Sequence, residues 1–208
     1  MNNSDITIDS YNKNAEKYEE KFMDFKSYKD KIQIFNEKYI YKYAEILDIG
    51  CGPGNNAKII YEDDQTHKIT GLDLSSEMVA IAKKNVPDCE FIVQDIRDID
   101  LDKQYDVVIA SFCIVHLTDE ETEKLIKSIS KILKKNGTLY LSFMEGEKSG
   151  LETTSFSDGE IYFNYYDPGK VRKLLSDNLI LTVEITKEDY EEEDGSLTKD
   201  IFISARKI

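Results

Sequence analysis

The chain has 208 residues, of which 41 are acidic and 27 basic, for a formal net charge of −14 at pH 7. So acidic a chain argues against DNA, RNA and anionic membranes as partners, because gripping them takes clustered Lys and Arg; what remains for the charge is solubility. Three cysteines, Cys51, Cys89 and Cys113, show no C-x-x-C spacing, which speaks against a disulfide framework or a metal site.

The length suits one α/β domain over 1–208, able to bury about 70% of its unfolded surface. The first residues, Met1-Asn2-Asn3-Ser4-Asp5, lack a basic region followed by an apolar core, and no apolar run approaches a membrane span, so a reducing, cytoplasmic setting is expected.

Residues 11–43 carry Tyr18, Phe22, Phe25, Ile32, Phe35 and Tyr39 at helical spacings, which predicts two helices joined near Ser27. From Ile46 short apolar runs alternate with amphipathic stretches, the pattern of βαβ units on a parallel sheet. Strands are predicted at 45–49, 68–73, 89–93, 105–110 and 137–143, with helices near 55–62, 75–85 and 119–134. A polar, glycine-containing stretch follows to Gly159, then an aromatic cluster from Ile161 to Tyr166. A helix from Pro168 to Asp177 and strands at 180–188 and 197–206 close the chain, with a solvated hairpin turn at 191–196.

In Leu47-Asp48-Ile49-Gly50-Cys51-Gly52-Pro53-Gly54 a buried strand breaks into a glycine loop that opens a helix. Glycines take positive φ and admit a ligand against the main chain. The dinucleotide fingerprint G-x-G-x-x-G is not met, since position 55 is Asn55. Ligands in open α/β sheets sit at the carboxyl ends of strands, where Gly54, Asp73, Asp95 and Ser111 fall. A carboxylate at Asp73 suits the two hydroxyls of a ribose, and one at Asp95 suits an exocyclic amine.

Through LDIGCGPG at 47–54, GLDLS at 71–75, QDI at 94–96, YDVVIASFCIVHL at 105–117 and LKKNGTLYLSF at 133–143, the chain resembles the class I S-adenosylmethionine-dependent methyltransferases. The resemblance implies a three-layer Rossmann-like fold: a seven-stranded, mostly parallel sheet whose last strand is inserted antiparallel, plus an N-terminal helical lid at 1–43 and an insertion at 144–166. It implies S-adenosyl-L-methionine as methyl donor. Gly50, Gly52 and Gly54 would cradle the methionine part, and Asp48 would support its ammonium group. Asp73 would hold the ribose, Leu74 and Met78 would pack on the adenine, and Asp95 with Ile96 would read its amino edge. Ser111 and Phe112 would line the space near the sulfonium.

Transfer to O or N of a small-molecule acceptor is the expected activity. A sensor or interaction module that binds the donor without transferring is the alternative. His116, following the fourth strand with a pKa near working pH, is the candidate base. The Asn/Asp-Pro-Pro-aromatic motif of amide and exocyclic-amine acceptors is missing, since the fourth strand ends Ala110-Ser111-Phe112-Cys113. Tyr11 and Tyr18 are expected over the cofactor, and Tyr162 and Tyr165 against the acceptor. The pattern does not speak to oligomeric state.

Overall fold

Three helices lead the chain: α1 (Asn3–Lys13), α2 (Ala15–Phe22) and α3 (Lys26–Tyr39). The computed structural model describes residues 2–99, 103–191 and 195–208. The two helices expected within 11–43 are α2 and α3, joined at 23–25 just before Ser27, and the further helix α1 precedes them. At the start of α1 the Asn2 side chain accepts the Asp5 N–H while the Asp5 side chain accepts the Asn2 N–H, a capping box. The inward stripe of α1 is polar, with Thr7 and Ser10 buried, so apolar periodicity does not register it.

The chain then alternates β1 (Glu45–Ile49), α4 (Asn55–Asp63), β2 (Lys68–Asp73), α5 (Ser76–Asn85), β3 (Glu90–Val93), β4 (Tyr105–Ser111), α6 (Asp119–Ile132) and β5 (Leu133–Met144). Single tight turns of helix, Ile96–Asp98 and Ile114–His116, follow β3 and β4. Beyond lie β6 (Ser149–Thr154), β7 (Ser157–Asn164), α7 (Pro168–Asp177), β8 (Ile180–Glu191) and β9 (Leu197–Lys207). No helix of the described residues is long and apolar enough to cross a membrane.

Seven strands form one sheet in the order β3-β2-β1-β4-β5-β9-β8. The pairs from β3 to β5 are parallel, and β9 runs antiparallel to both β5 and β8, as the resemblance implied. Side chains alternate between two cores with period two. Leu47, Val108, Ala110, Leu139 and Leu141 face α6 and α7. Ile46, Val107, Ile109 and Tyr140 face α3, α4 and α5.

Two boundaries differ from expectation. β5 starts at Leu133, which pairs with Tyr105 before the register shifts to Val107–Thr138. The polar stretch after Phe143 forms a separate two-stranded sheet, β6 with β7, rather than a loop. The closing hairpin pairs from Ile180–Lys207 to Glu191–Leu197, and residues 192–194 of its expected turn lie outside the described residues.

The β6–β7 hairpin meets the N-terminal helices above the carboxyl ends of the strands. Phe156, at its tip, packs against Tyr11, Tyr18 and Phe22 with ring centroids 5.7, 5.1 and 5.9 Å away. The hydroxyls of Ser10 and Ser157 meet at 2.5 Å, and Lys17 pairs with Asp158 at 2.9 Å. Phe156→Ala is expected to cost this roof about 3 kcal/mol, the lower end for a buried Phe truncation. It should read out as faster tryptic cleavage after Lys17 and Lys21, and unchanged cleavage would show that the ring holds nothing in place.

Candidate functional site

Strand order reverses at β1, whose neighbours are β2 and β4, so the connections leaving β1 and β4 diverge and open a crevice. The loop after β1 lies on its floor. Gly50 has φ +67°, and its N–H and that of Cys51 both donate to the Leu72 carbonyl, at 2.8 and 2.9 Å. A Cβ on Gly50 would lie 2.6 Å from the Cys113 Cβ, so no other residue fits. Gly54, at φ +87°, starts α4 and packs on Ala82.

Asp73 ties this loop to the end of β2. One of its carboxylate oxygens accepts the Gly52 N–H and the other the Ser75 N–H, both at 2.9 Å. Each oxygen keeps a lone pair for a further donor. Burial raises the Asp73 pKa, and the backbone donors at Ser75, Gly52 and Leu74 offset part of that rise.

The crevice encloses about 750 Å³ including its open mouth. Among the expected site residues, Tyr11, Tyr18, Gly50, Gly52, Asp73, Leu74, Met78, Asp95, Ile96, Ser111, Phe112 and His116 line it. Asp48, Gly54, Tyr162 and Tyr165 do not. Asp48 sits beneath the loop, fully buried, with the Asn56 amide donating to one oxygen at 3.5 Å and no partner on the other. Burial pushes its carboxyl up to about 7.

The two residues expected against the acceptor are not among those lining the crevice. The Tyr165 hydroxyl donates to Glu152 at 2.9 Å and its ring lies under Lys148, so the side chain belongs to the outside of the hairpin. Tyr162 reaches the site through its backbone. Its N–H donates to Thr7 Oγ1 at 3.0 Å, and its carbonyl lies 2.9 Å from His116 Nδ1.

That carbonyl settles the histidine tautomer. A carbonyl only accepts, so Nδ1 carries the proton and Nε2 presents a lone pair. The Tyr11 hydroxyl, 2.9 Å from Nε2, is therefore the donor. Burial lowers the His116 pKa to about 4 and raises that of Tyr11 well above its usual value, so both groups are neutral at pH 7.

Sequence reasoning missed Arg97. Its guanidinium and backbone N–H bind Asp95, and it also donates to Glu121 at 3.1 Å and to Ser4 Oγ, on α1, at 2.7 Å. These bonds hold the Asp95 carboxyl below the usual range, with the Arg97 side chain the largest cause. The expected reader of an exocyclic amine is thus also the anchor of Arg97. The arginine's place two residues after Asp95 was the available signal.

A family described as "Methyltransferase domain" matches residues 46–137. The chain is 29% identical over 134 residues to putative methyltransferase 235L of Invertebrate iridescent virus 6, covering 64% of this chain and 46% of that protein. It is 30% identical over 127 residues to trans-aconitate 2-methyltransferase of Escherichia coli O7:K1, covering 60% of this chain and 48% of the relative. The chain thus spans about half the length of the curated relatives it matches.

Among solved structures, 1,6-didemethyltoxoflavin-N1-methyltransferase of Burkholderia thailandensis, bound to 1,6-didemethyltoxoflavin and S-adenosylhomocysteine, superposes with a TM-score of 0.75. The match covers 98% of this chain and 88% of that one at 16% identity, and so speaks to the fold.

Asp48 and His116 oppose each other in their effect on stability. Between about pH 4 and 7 the folded chain holds the Asp48 proton that the unfolded chain has lost, so this group's stability contribution falls as pH rises. His116 stays neutral in the folded chain to about pH 4, and its contribution rises with pH toward about 6.5. Asp48→Asn removes the first effect alone. The variant should gain stability over the parent, by on the order of a few kcal/mol, as pH rises from about 4 to 8. Urea unfolding at both ends of that range measures it, and a constant difference would place the Asp48 pKa in the ordinary range.

Proposed function

We propose that this chain, whose residues 46–137 match a methyltransferase-domain family, is a class I S-adenosylmethionine-dependent methyltransferase that transfers a methyl group from S-adenosyl-L-methionine to an oxygen or nitrogen of a small-molecule acceptor. The observation that carries the reading is the left-handed glycine loop bound to Asp73 where the strand order reverses. The residues present suit the donor. The unpartnered Asp48 oxygen beneath the loop fits an ammonium group that a ligand supplies, directly or through water. The remaining lone pairs of Asp73 fit a ribose diol, and Leu74, Met78 and Ile96 offer an apolar slot for a purine.

When bound, the donor supplies a sulfonium methyl group, an electrophile that needs no further activation. The chain's own work is positioning and exclusion of water. Tyr11 and Tyr18 close the cleft from above, and Ser111 and Phe112 close it at the end of β4. Phe112 holds φ +49°, fixed by its N–H donating to the Ser142 carbonyl and hydroxyl at 3.1 and 3.0 Å.

Proton removal falls to Tyr11 and His116 acting together. An acceptor O–H or N–H donates to the Tyr11 oxygen, the Tyr11 proton moves to His116 Nε2, and the Tyr162 carbonyl steadies the imidazolium through Nδ1–H. The base named from sequence thus acts through a roof residue. The trans-aconitate named for one relative belongs in any acceptor panel for this chain.

Calorimetry should detect S-adenosylmethionine binding, and Asp73→Ala should weaken it by about 1.5–3 kcal/mol, the worth of hydrogen bonds to a charged group. Absence of heat at millimolar ligand would sink the assignment. His116→Ala and Tyr11→Phe should each cut turnover about 100-fold, with the double variant no worse, because the two act as one unit. With the imidazole near 4, kcat at saturating donor should stay level from about pH 5.5 to 8. A fall below about pH 6.5 would show an unshifted histidine, and additive losses would separate the pair.

A further inference from the structure

We infer that the acceptor is a neutral, flat molecule carrying a phenolic O–H or a ring N–H, and that carboxylates and phosphates are rejected; this rests on the methyl-transfer reading above. Beyond the residues suited to the donor, the wall is made by Ser4, Thr7, Ile8, Phe112, Cys113 and Leu117, none of which carries a charge. Among the described residues lining the crevice, Arg97 is the one cationic side chain. It is committed, since Asp95 and Glu121 take its charge and Ser4 takes a further N–H.

The nearby roof lysines Lys13 and Lys17 pair with Asp9 and Asp158, and all four side chains are more than half exposed. An anionic acceptor entering the crevice would give up its water with no unpaired cationic side chain among the described lining residues to replace it. It would also approach two acids, Asp73 and Asp95, inside a chain of net charge −14.

The proton-accepting pair points the same way. A carboxylate has no proton to lose when it attacks, so a Tyr11–His116 relay would serve no purpose for it. A phenol or ring N–H must lose one. As its oxygen or nitrogen bonds to the methyl carbon, the carbon–sulfur bond breaks with both electrons going to sulfur. The acceptor's proton passes to Tyr11 Oη as the Tyr11 proton passes to His116 Nε2, and solvent later takes it. Rings suit the space as well, because the Tyr11, Tyr18 and Phe112 side chains all line the crevice and offer apolar faces to a planar guest.

The test pairs 2-naphthol with 2-naphthoate, which differ mainly in charge, and adds an N–H heteroaromatic and trans-aconitate. Calorimetry with S-adenosylhomocysteine comes first, since its failure removes the methyltransferase reading itself. Each probe is then titrated into protein saturated with S-adenosylhomocysteine, and turnover is followed with labelled donor. The neutral probes should bind at least ~100-fold more tightly than the anions, with methyl ether or N-methyl product and no methyl ester.

Ile8→Lys, which places a cation on the partly exposed side of the wall, should shift the preference toward 2-naphthoate at least ~10-fold. Equal or tighter binding of either carboxylate to the parent chain, or ester formation, overturns the inference. So does silence of both neutral probes while S-adenosylhomocysteine binds.

Discussion

The site depends on one close approach. The loop leaving β1 crosses the second residue after β4 with no room for a side chain at Gly50, where a Cβ would fall 2.6 Å from that of Cys113. That contact lets the backbone at 50–52 lie flat on the crevice floor and places the Gly52 N–H within reach of Asp73. Asp73 in turn accepts from Ser75, whose hydroxyl caps α5 and donates to Asn12 on α1 at 2.7 Å. A steric allowance of one atom thus propagates through the loop to two helices and up to the roof.

The roof is held mainly by polar contacts. α1 bonds to the β2–α5 corner through Asn12, to the turn after β3 through Ser4, to His116 through Tyr11, to β7 through Thr7 and to the hairpin tip through Ser10. Individually such bonds add about 1 kcal/mol, because each replaces a bond to water. A helix tied this way can exchange its partners for those of a ligand at small net cost. The aromatic packing of Phe156 on Tyr11, Tyr18 and Phe22 supplies the apolar part of the attachment.

This polar attachment explains what could and could not be read in advance. The sheet was legible because its strands are buried on both faces and read as continuous apolar runs, as in Val107–Ala110. The crevice floor was legible because glycines and acids at strand ends mark it by residue type and position. α1 was not, since its inward residues Thr7, Ser10 and Asn14 look like a solvated face; only the Asn2–Asp5 cap marked its start.

The hairpin was hidden for a related reason. β6 alternates exposed and half-buried residues with no buried one, and its partner strand is local. Tyr165 was expected in the pocket from its place in the insertion after the fifth strand, whereas its contacts with Glu152 and Lys148 keep it on the hairpin.

Charge divides the crevice into two halves with different work. Around the loop, Asp48 and Asp73 have no cationic partner among the described residues, and burial lifts both carboxyls. A lysine there would steady the empty protein and would also have to be displaced by any ligand ammonium. Leaving the acids unpaired makes the folded chain carry an electrostatic cost that an arriving cation relieves. On the far side the Arg97 guanidinium is neutralised by Asp95 and Glu121, and His116 is kept uncharged by burial. The proposed methyl transfer would move positive charge from sulfur to an acceptor and then to a proton, and it suits surroundings that favour no fixed cation along that path. In the proposed transfer the neutral Nε2 of His116, reached through Tyr11, is the outlet for it.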